Sequence, residues 1–441
     1  MNLNDIKENF DFFDLLIIDL FGKLRHVTLP TNYLSEEVFE RGVGFDASNT
    51  MYSQLTDSDL VIVPDISCTF TNPFSEYKTI SSFGNVYSFD SNGDMKLFPL
   101  DPRFILKKTL SLLRDKTPAQ NLMVLPELEF YVFDKINYSL NPLNSFYSIS
   151  SNELSTSDGK AYHLIQPSDK FSNLRSEIVK ILCNNEVNVK YHHHEVGLPG
   201  QCEIELNFEV AEKAADNIEI TKYVTKNCAA KIGMTSTFIP KPLYGAPGSG
   251  MHLHLYLVDD NGRSIFYDPN NELNLSKIAL NFVGGILLHL SSLMAITNPS
   301  TNSFKRLIPG FEAPTGKTFG KGDRSSSIRI PGYTSLEATR IEFRTPDAIC
   351  NPYYAISAIL LAGIDGISKN IDPFNDKEID KTASIPETFP QALEALSKDN
   401  EYLSNVFGKD FPEIWCKHKS KETESCNLFP TPAEIATYIE Y

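Results

Sequence analysis

A chain of 441 residues that is 41% hydrophobic, 11% aromatic and 22% charged can fold as one large domain or as two to three ordinary ones, and its composition excludes a disordered polymer. Forty lysines and arginines against 56 aspartates and glutamates leave a net charge of −16, which disfavours nucleic acid and anionic membranes as partners. Seven cysteines without CxxC spacing, a polar start with no signal-peptide core, and a longest apolar run (Tyr353 to Ile364) broken by Ser357 point to a soluble, cytoplasmic protein.

In chain order, LLIIDLFGKLRHVTLP reads as a hairpin turning near Phe21-Gly22-Lys23, and DLVIVPD as a short buried strand. YSFDSNGDMKLF is a second hairpin with its turn at Ser91-Asn92-Gly93-Asp94. DPRFILKKTLSLLRD has helical periodicity, Asp101 as N-cap and Pro102 at the first helical position, so a boundary is placed between residues 1–100 and 101–441. Beyond it strands and helices alternate irregularly, without a βαβ rhythm or a repeat. The Ser/Asn-rich stretch from Asn137 to Asp158 reads as loop, and Ala211 to Ile232 as one long helix. NPYYAISAILLAGIDGI is another helix, capped by Asn351, and the last seventy residues are helical pieces between charged loops.

Chemistry concentrates on strands. In PELEFYVFD, Glu127 and Glu129 are two apart, so both carboxylates share one face and repel unless a cation lies between them. GQCEIELNF repeats the pattern with Glu203 and Glu205, GSGMHLHLYL with His252, His254 and Tyr256, and RIEFR with Arg340, Glu342 and Arg344. HHHEV, ending in Glu195, lies just upstream of the second strand; alone it could be a loop with no task. One such strand is most often a solvated edge, but four in one chain describe a carboxylate-rich floor, and its few imidazoles suit Mg²⁺ or Mn²⁺ rather than zinc. Arg306, Arg324, Arg329, Arg340 and Arg344 fall within residues 306–344, a cluster suited to carboxylate and phosphate. Metals beside arginines are what phosphoryl transfer requires, and the absence of GxxxxGK[ST] excludes a P-loop.

PELEFYVFD, HHHEVGLPGQCEIELNF, PGSGMHLHLYL, NPSTNSFKRLIPGFEAP, RSSSIRIP, RIEFRTPDA and NPYYAISAILLAGIDGI resemble, in order and spacing, the motifs of the glutamine synthetase family, over nearly the whole chain. The resemblance implies an α+β fold: an N-terminal β-grasp domain, then a catalytic domain with a curved antiparallel sheet flanked by helices. It implies a homo-oligomer, a dodecamer of two stacked hexameric rings with active sites between subunits. Glutamate, ammonium and ATP would be the partners, with two or three Mg²⁺ or Mn²⁺ ions per site. Residue by residue, Glu129, Glu195 and Glu203 match the metal ligands on the glutamate side, and Glu127, His252 and Glu342 those on the ATP side. Arg306, Arg344 and Gly248 match glutamate contacts; Arg324, Arg329 and His254 match phosphate contacts, and Phe208 and Arg340 nucleotide contacts. Asp46 matches the base that takes a proton from ammonium, reaching a neighbour's site, while Tyr162 and Glu312 match the rest of the ammonium pocket, Glu312 on a closing flap.

The expected reaction is ATP-dependent ligation of ammonium to glutamate through γ-glutamyl phosphate, with Asp46, Glu312 and Arg324 catalytic. Departures from the family pattern are Pro247 for an Asn that steadies glutamate, Asn49 for a Ser, and Tyr256 and Glu337 at positions that often contact nucleotide. No Tyr lies between Asn375 and Pro386, where some bacterial members are adenylylated, and Gln54 replaces an Arg linked to feedback. Two other readings compete: a γ-glutamyl ligase for an organic amine, and a non-catalytic relative, against which the filled metal positions argue.

Overall fold

The computed structural model describes residues 2–52, 58–153, 161–271, 273–332, 339–380 and 382–440; Gln54 and Glu337 lie outside the described residues. The first hundred residues build a six-stranded sheet in the order Leu24–Pro30, Phe12–Ile18, Thr79–Phe89, Asp59–Asn72, Val43–Asp46, with Met95–Leu97 on Thr79–Phe89. Phe12–Ile18 and Thr79–Phe89 run parallel; their neighbours are antiparallel. Gly22 at φ 87° makes the expected first turn, and Gly93 at φ 82° the second, a conformation that costs glycine nothing. The DLVIVPD strand is longer than its apolar core suggests, 14 residues, because a register shift between Pro64 and Thr69 lets pairing resume beyond the bend.

Asp101 caps the Pro102–Lys116 helix, accepting from Arg103 N at 3.0 Å, while its other oxygen accepts from Val86 N at 2.8 Å. One carboxylate thus fastens the helix to the first sheet. Arg103, nearly fully buried, adds a second fastening by pairing with Asp65 at 2.9 Å and with Asp216 on the long helix Ala211–Lys231.

The second sheet carries the strands singled out above. Its order is Val189–His194, Gln201–Leu206, Asn121–Phe133, Met251–Val258, Ile341–Phe343, Ser326–Ile330, Gly316–Lys321, with two short strands also paired to Asn121–Phe133. All named neighbours are antiparallel except the last pair, which is parallel, so the expected antiparallel sheet has one exception at its edge. Leu128, Phe130, Ile204, Leu253, Leu255, Ile341 and Phe343 are all fully buried on its apolar face. Each such side chain contributes about 1.5–3 kcal/mol on burial. Behind the sheet, Ala211–Lys231 and Pro102–Lys116 pack with Pro352–Lys369, whose cap Asn351 accepts from Tyr353 N and Tyr354 N as its sequence predicts.

One reading needs correction. Residues 135–150 are not loop but a hairpin, Lys135–Asn141 paired with Asn144–Ser150. Among the described residues the strands pair with each other alone; Ile136, Tyr138 and Leu140 alternate with polar residues, but Tyr138, Leu140 and Tyr147 stay exposed and the alternation is masked by the Ser/Asn-rich composition. The three histidines of HHHEV end the edge strand Val189–His194 of the second sheet, and Glu195 follows it. Among the described residues no single helix is long and apolar enough to cross a membrane; the apolar pair Lys277–Leu288 and Leu290–Thr297, bent by 75°, is largely buried.

Candidate active site

The strand period aims side chains at one face, and the antiparallel register lines them up. One row across the sheet is Tyr191, Glu205, Glu127, His252; the next is His193, Glu203, Glu129. A third joins His254, Glu342 and Arg329. Glu195 follows the edge strand, its N–H donating to Gln201 O at 2.9 Å. From these rows Tyr191, Glu127, His252, Glu203, Glu129, Glu342 and Arg329 floor a cavity of about 210 Å³, which Glu195, Tyr162, Pro247, Gly248, Arg306, Glu312 and Arg324 help to line, while Glu205, His193 and His254 lie off it. A larger cavity, about 840 Å³, lies elsewhere and contains none of these groups, so size does not mark the chemistry.

Charge divides the floor in two. At one end Glu127 accepts from His254 Nε2 at 2.7 Å and from His252 Nδ1 at 2.9 Å. Burial opposes its ionisation, but neighbouring His254 and the two imidazole hydrogen bonds outweigh it and hold the carboxyl well below its usual range. Glu342 is bound by Arg329 and Arg344; burial is again outweighed, by His254 and Arg344, and its pKa is lowered. Donor atoms of Glu127, His254 and Glu342 lie within 4.8 Å of one another, with His252 Nδ1 3.8 Å from Glu342.

The other end is uncompensated. Burial, then Glu203 and Glu129, push the Glu195 carboxyl up to about 9. Burial, then Glu127, Glu129 and Glu205, push Glu203 well above its ordinary value. Glu195 Oε2 is buried with no hydrogen-bond partner, an orphan of the kind that a bound cation satisfies. Carboxylate oxygens this close, with one ligand-starved and few cations among them, fit a hard divalent ion.

The remaining polar groups surround the floor. Glu129 accepts from Gly250 N at 2.7 Å. Buried Arg306 donates to the carbonyls of Thr345 at 2.8 Å, Pro346 at 3.2 Å and Arg344 at 3.1 Å, which fixes its guanidinium against the pocket. Arg344 Nη2 reaches Glu312 O at 3.2 Å, tying the loop to the floor, and Glu312 itself holds φ 57°, a strained value for glutamate. Arg324 is exposed at the mouth. Tyr162 is half exposed; burial, then Glu195 and Glu203, push its hydroxyl up to about 12. At the far end Arg340 Nε donates to His254 Nδ1 at 3.1 Å, and its guanidinium lies 5.8 Å from the Phe208 ring, which meets Tyr256 edge-on at 4.9 Å.

Asp46 stands apart, on the first sheet, accepting from Ser48 N at 3.0 Å and from Asn49 Nδ2 at 3.3 Å; it does not line its own chain's pocket. Gln201, absent from the sequence reading, braces the pocket wall by donating to Gly248 O at 3.0 Å and accepting from Gly197 N at 2.7 Å. His193 was also missed. Its two-residue spacing from Glu195 is the signal that would have found it.

Residues 9–89 match the family described as "Glutamine synthetase, beta-Grasp domain", and residues 99–438 "Glutamine synthetase, catalytic domain". The chain is 37% identical to glutamine synthetase of Frankia alni, covering 98% of this chain and 97% of that protein. It is also 37% identical to that of Vibrio cholerae, covering 99% and 98%. Among solved structures, Plasmodium falciparum glutamine synthetase superposes with a TM-score of 0.89 at 27% identity, over 99% of each chain. Apo GmaS superposes with a TM-score of 0.86, also at 27% identity and over 100% of each chain.

Proposed function

The chain belongs to the glutamine synthetase family of ligases, and from that premise we propose that it joins ammonium to the γ-carboxylate of L-glutamate with hydrolysis of ATP to ADP and phosphate. The observation that carries this reading is the convergence, on one pocket, of two groups of buried carboxylates with Arg306, Arg329 and Arg344. A carboxylate does not react with ammonia because hydroxide leaves too poorly; conversion to an acyl phosphate supplies a good leaving group.

In this reading Arg306 and Arg344 orient glutamate, while Phe208 and Arg340 receive the nucleotide. The γ-carboxylate oxygen attacks the γ-phosphorus, the bond to ADP breaks, and Arg324, Arg329 and His254 neutralise the transferring group. Ammonium, bounded by Tyr162 and Glu312, gives a proton to Asp46 of a neighbouring subunit; the free amine attacks the acyl carbon and phosphate leaves. Glu312 and its loop close to exclude water, which would otherwise hydrolyse the acyl phosphate. Glu129, Glu195 and Glu203 would hold one divalent cation, and Glu127, His252 and Glu342 another; when bound, Mg²⁺ or Mn²⁺ neutralises phosphate charge.

The seven free cysteines support a reducing cytoplasm, and Asp46, lying off its own pocket, supports a ring oligomer in which neighbours complete each site. A second reading, ligation of an organic amine, is favoured by Pro247, whose carbonyl accepts from Tyr131 OH at 2.8 Å where the family has a polar Asn side chain. Phosphate release measured with glutamate, ATP and either ammonium, methylamine, ethanolamine or putrescine separates the two. We expect ammonium to give the highest kcat/KM, because alkylation leaves an acceptor unpaired at a cost of about 1–3 kcal/mol, roughly five- to a hundredfold in rate. A larger kcat/KM for any other amine establishes the second reading.

A further inference from the structure

The loop that carries Glu312 stands in a pose its own backbone does not favour. It joins the Thr301–Arg306 helix to the Gly316–Lys321 strand, and on it Gly310 and Glu312 both lie in the left-handed region, at φ 93° and 57°. For a glutamate such a value persists only where the surroundings impose it. Burial does little of this, since Gly310 and Glu312 are exposed and Phe311 between them is half-buried. Polar contacts hold the loop from outside: Arg344 Nη2 at 3.2 Å from Glu312 O, and Lys241 Nζ at 3.8 Å from the centre of the Phe311 ring. Lys241 is well anchored for this. Its N–H donates to Asn302 Oδ1 at 2.8 Å and its carbonyl accepts from Asn302 Nδ2 at 3.1 Å, which locks its main chain to the helix that ends in Arg306. Its Nζ also donates to the carbonyl of Ala246, in the segment leading to Gly248. Burial lowers its pKa, and no acidic neighbour among the described residues raises it. The ammonium is therefore not taken up by an ion pair; the carbonyl and the face of the Phe311 ring are its negative partners.

We infer that Lys241 is a positioning residue: through the Phe311 ring it holds the Glu312 loop over the pocket, and so sets whether the acyl phosphate meets the amine or water. The inference rests on the acyl-phosphate reading proposed above and deepens it by naming what keeps the loop closed. Phe311 and Glu312 line the cavity and Lys241 does not, so the lysine acts through the loop and not on the reacting atoms. When the loop lifts, the oxygen of water attacks the γ-acyl carbon and the bond to the phosphate oxygen breaks. Glutamate, phosphate and a proton are released, and the net result is hydrolysis of ATP with no amide formed. A cation over a ring suits a loop that must also open, because the contact has no fixed bond direction and re-forms each time the ring returns.

The test uses the full-length protein and counts phosphate released per glutamine formed from glutamate, ATP and ammonium, then phosphate released with the amine left out. Lys241→Met keeps the stem and removes the charge, Phe311→Leu keeps an apolar side chain and removes the ring face, and Lys241→Arg keeps the cation. For the wild type and Lys241→Arg we expect close to one phosphate per glutamine. For Lys241→Met and Phe311→Leu we expect amine-independent phosphate release to rise about two- to tenfold, the loss of one cation–π contact, with a matching excess of phosphate over glutamine. The double variant should be no worse than either single one, because both remove the same contact. Amide hydrogen exchange across residues 308–315 should quicken in the same two variants. Phe311→Leu carries the test alone if Lys241→Met does not fold. If both variants make less glutamine but still release one phosphate for each, the acyl-phosphate reading stands and this inference is overturned. An excess of phosphate in Lys241→Met with none in Phe311→Leu also overturns it, since the lysine would then act through Ala246 and not through the ring. A wild type that releases no phosphate with any amine removes the reading and this inference together.

Discussion

A Cβ built on Gly248 would stand 2.5 Å from Pro240 O and 2.6 Å from Arg306 Cγ, so the backbone and the aliphatic stem of Arg306 approach here as only glycine permits. Gly248→Ala should therefore destabilise the fold by ~1–3 kcal/mol and raise KM for glutamate more than it lowers kcat, because the displaced arginine is a binding group. Unfolding midpoints and steady-state kinetics check both, and an unchanged KM would remove Arg306 from glutamate binding. Glu203→Ala makes a less intuitive case. Glu203 is buried among carboxylates that raise its pKa, so its loss relieves repulsion in the cation-free protein. We expect no phosphate release, no drop in the cation-free melting temperature, and loss of the stabilisation that Mn²⁺ gives the wild type, measured by thermal melts with and without metal. Full activity in this variant, or wild-type activity in excess chelator, contradicts the metal reading. At this scale the sequence was informative where period two sufficed: Glu127 with Glu129, and Glu203 with Glu205, share a face because they lie on strands. It was silent where pairing is non-local. Nothing local says that Glu203 stands opposite Glu129, or that a register shift between Val189 and Tyr191 turns His193 onto the same floor.

Elements were legible in proportion to their local chemistry. Asp101-Pro102 and Asn351-Pro352 announce helix starts because capping is settled within three residues. The 135–150 hairpin was not: Ile136, Tyr138 and Leu140 alternate with polar residues and share a face with Tyr147 and Ile149, but that face stays largely exposed and the Ser/Asn-rich composition around it reads as loop. The bend between Lys277–Leu288 and Leu290–Thr297 is a third case: a histidine in an apolar run gives no hint of its partners. His289 bonds Asp399 through Nδ1 at 2.9 Å and Asp365 through Nε2 at 3.0 Å, and its ring stacks on Tyr402 at 4.1 Å. Both nitrogens face carboxylates, so the imidazolium is the form that fits. Burial lowers its pKa, but the hydrogen bonds it donates to Asp365 and Asp399 outweigh that and raise it from its usual value. A raised folded-state value gives stability that is complete below the unfolded pKa of about 6.5 and is lost as pH rises through the folded value. The wild type should therefore exceed His289→Gln by ~1–3 kcal/mol at pH 6, with the gap shrinking in alkaline buffer. Denaturant unfolding of both proteins at several pH values reads the gap directly; a gap independent of pH would mean that the clasp acts through packing alone.

For the whole molecule, the open question is why the proposed base lies outside the pocket it serves. Asp46 ends the Val43–Asp46 strand of the first sheet, on the surface, with Ser48 N and Asn49 as its partners. The cavity floored by Glu127, Glu129 and Glu203 belongs to the second sheet, and Asp46 is not among the residues that line it. In the proposed head-to-tail ring, one subunit's first sheet would face the next subunit's second, so that Asp46 completes a neighbour's pocket rather than its own. An isolated subunit should then be inactive, and damage to the two halves should be separable. Asp46→Ala chains keep an intact pocket but offer their neighbour no base; Arg344→Ala chains offer the base but have a broken pocket. Each homogeneous ring should be inactive. In a ring assembled at random from equal amounts, an interface receives an intact pocket half the time and an intact base half the time, so about a quarter of the sites should recover. The experiment dissociates and reassembles the two variants together, verifies mixed rings by native mass spectrometry, and measures phosphate release with ammonium. Recovery near a quarter of wild type supports sites shared between neighbours. Verified mixed rings that stay inactive would place the whole site within one chain, and Asp46 would lose its role as the base.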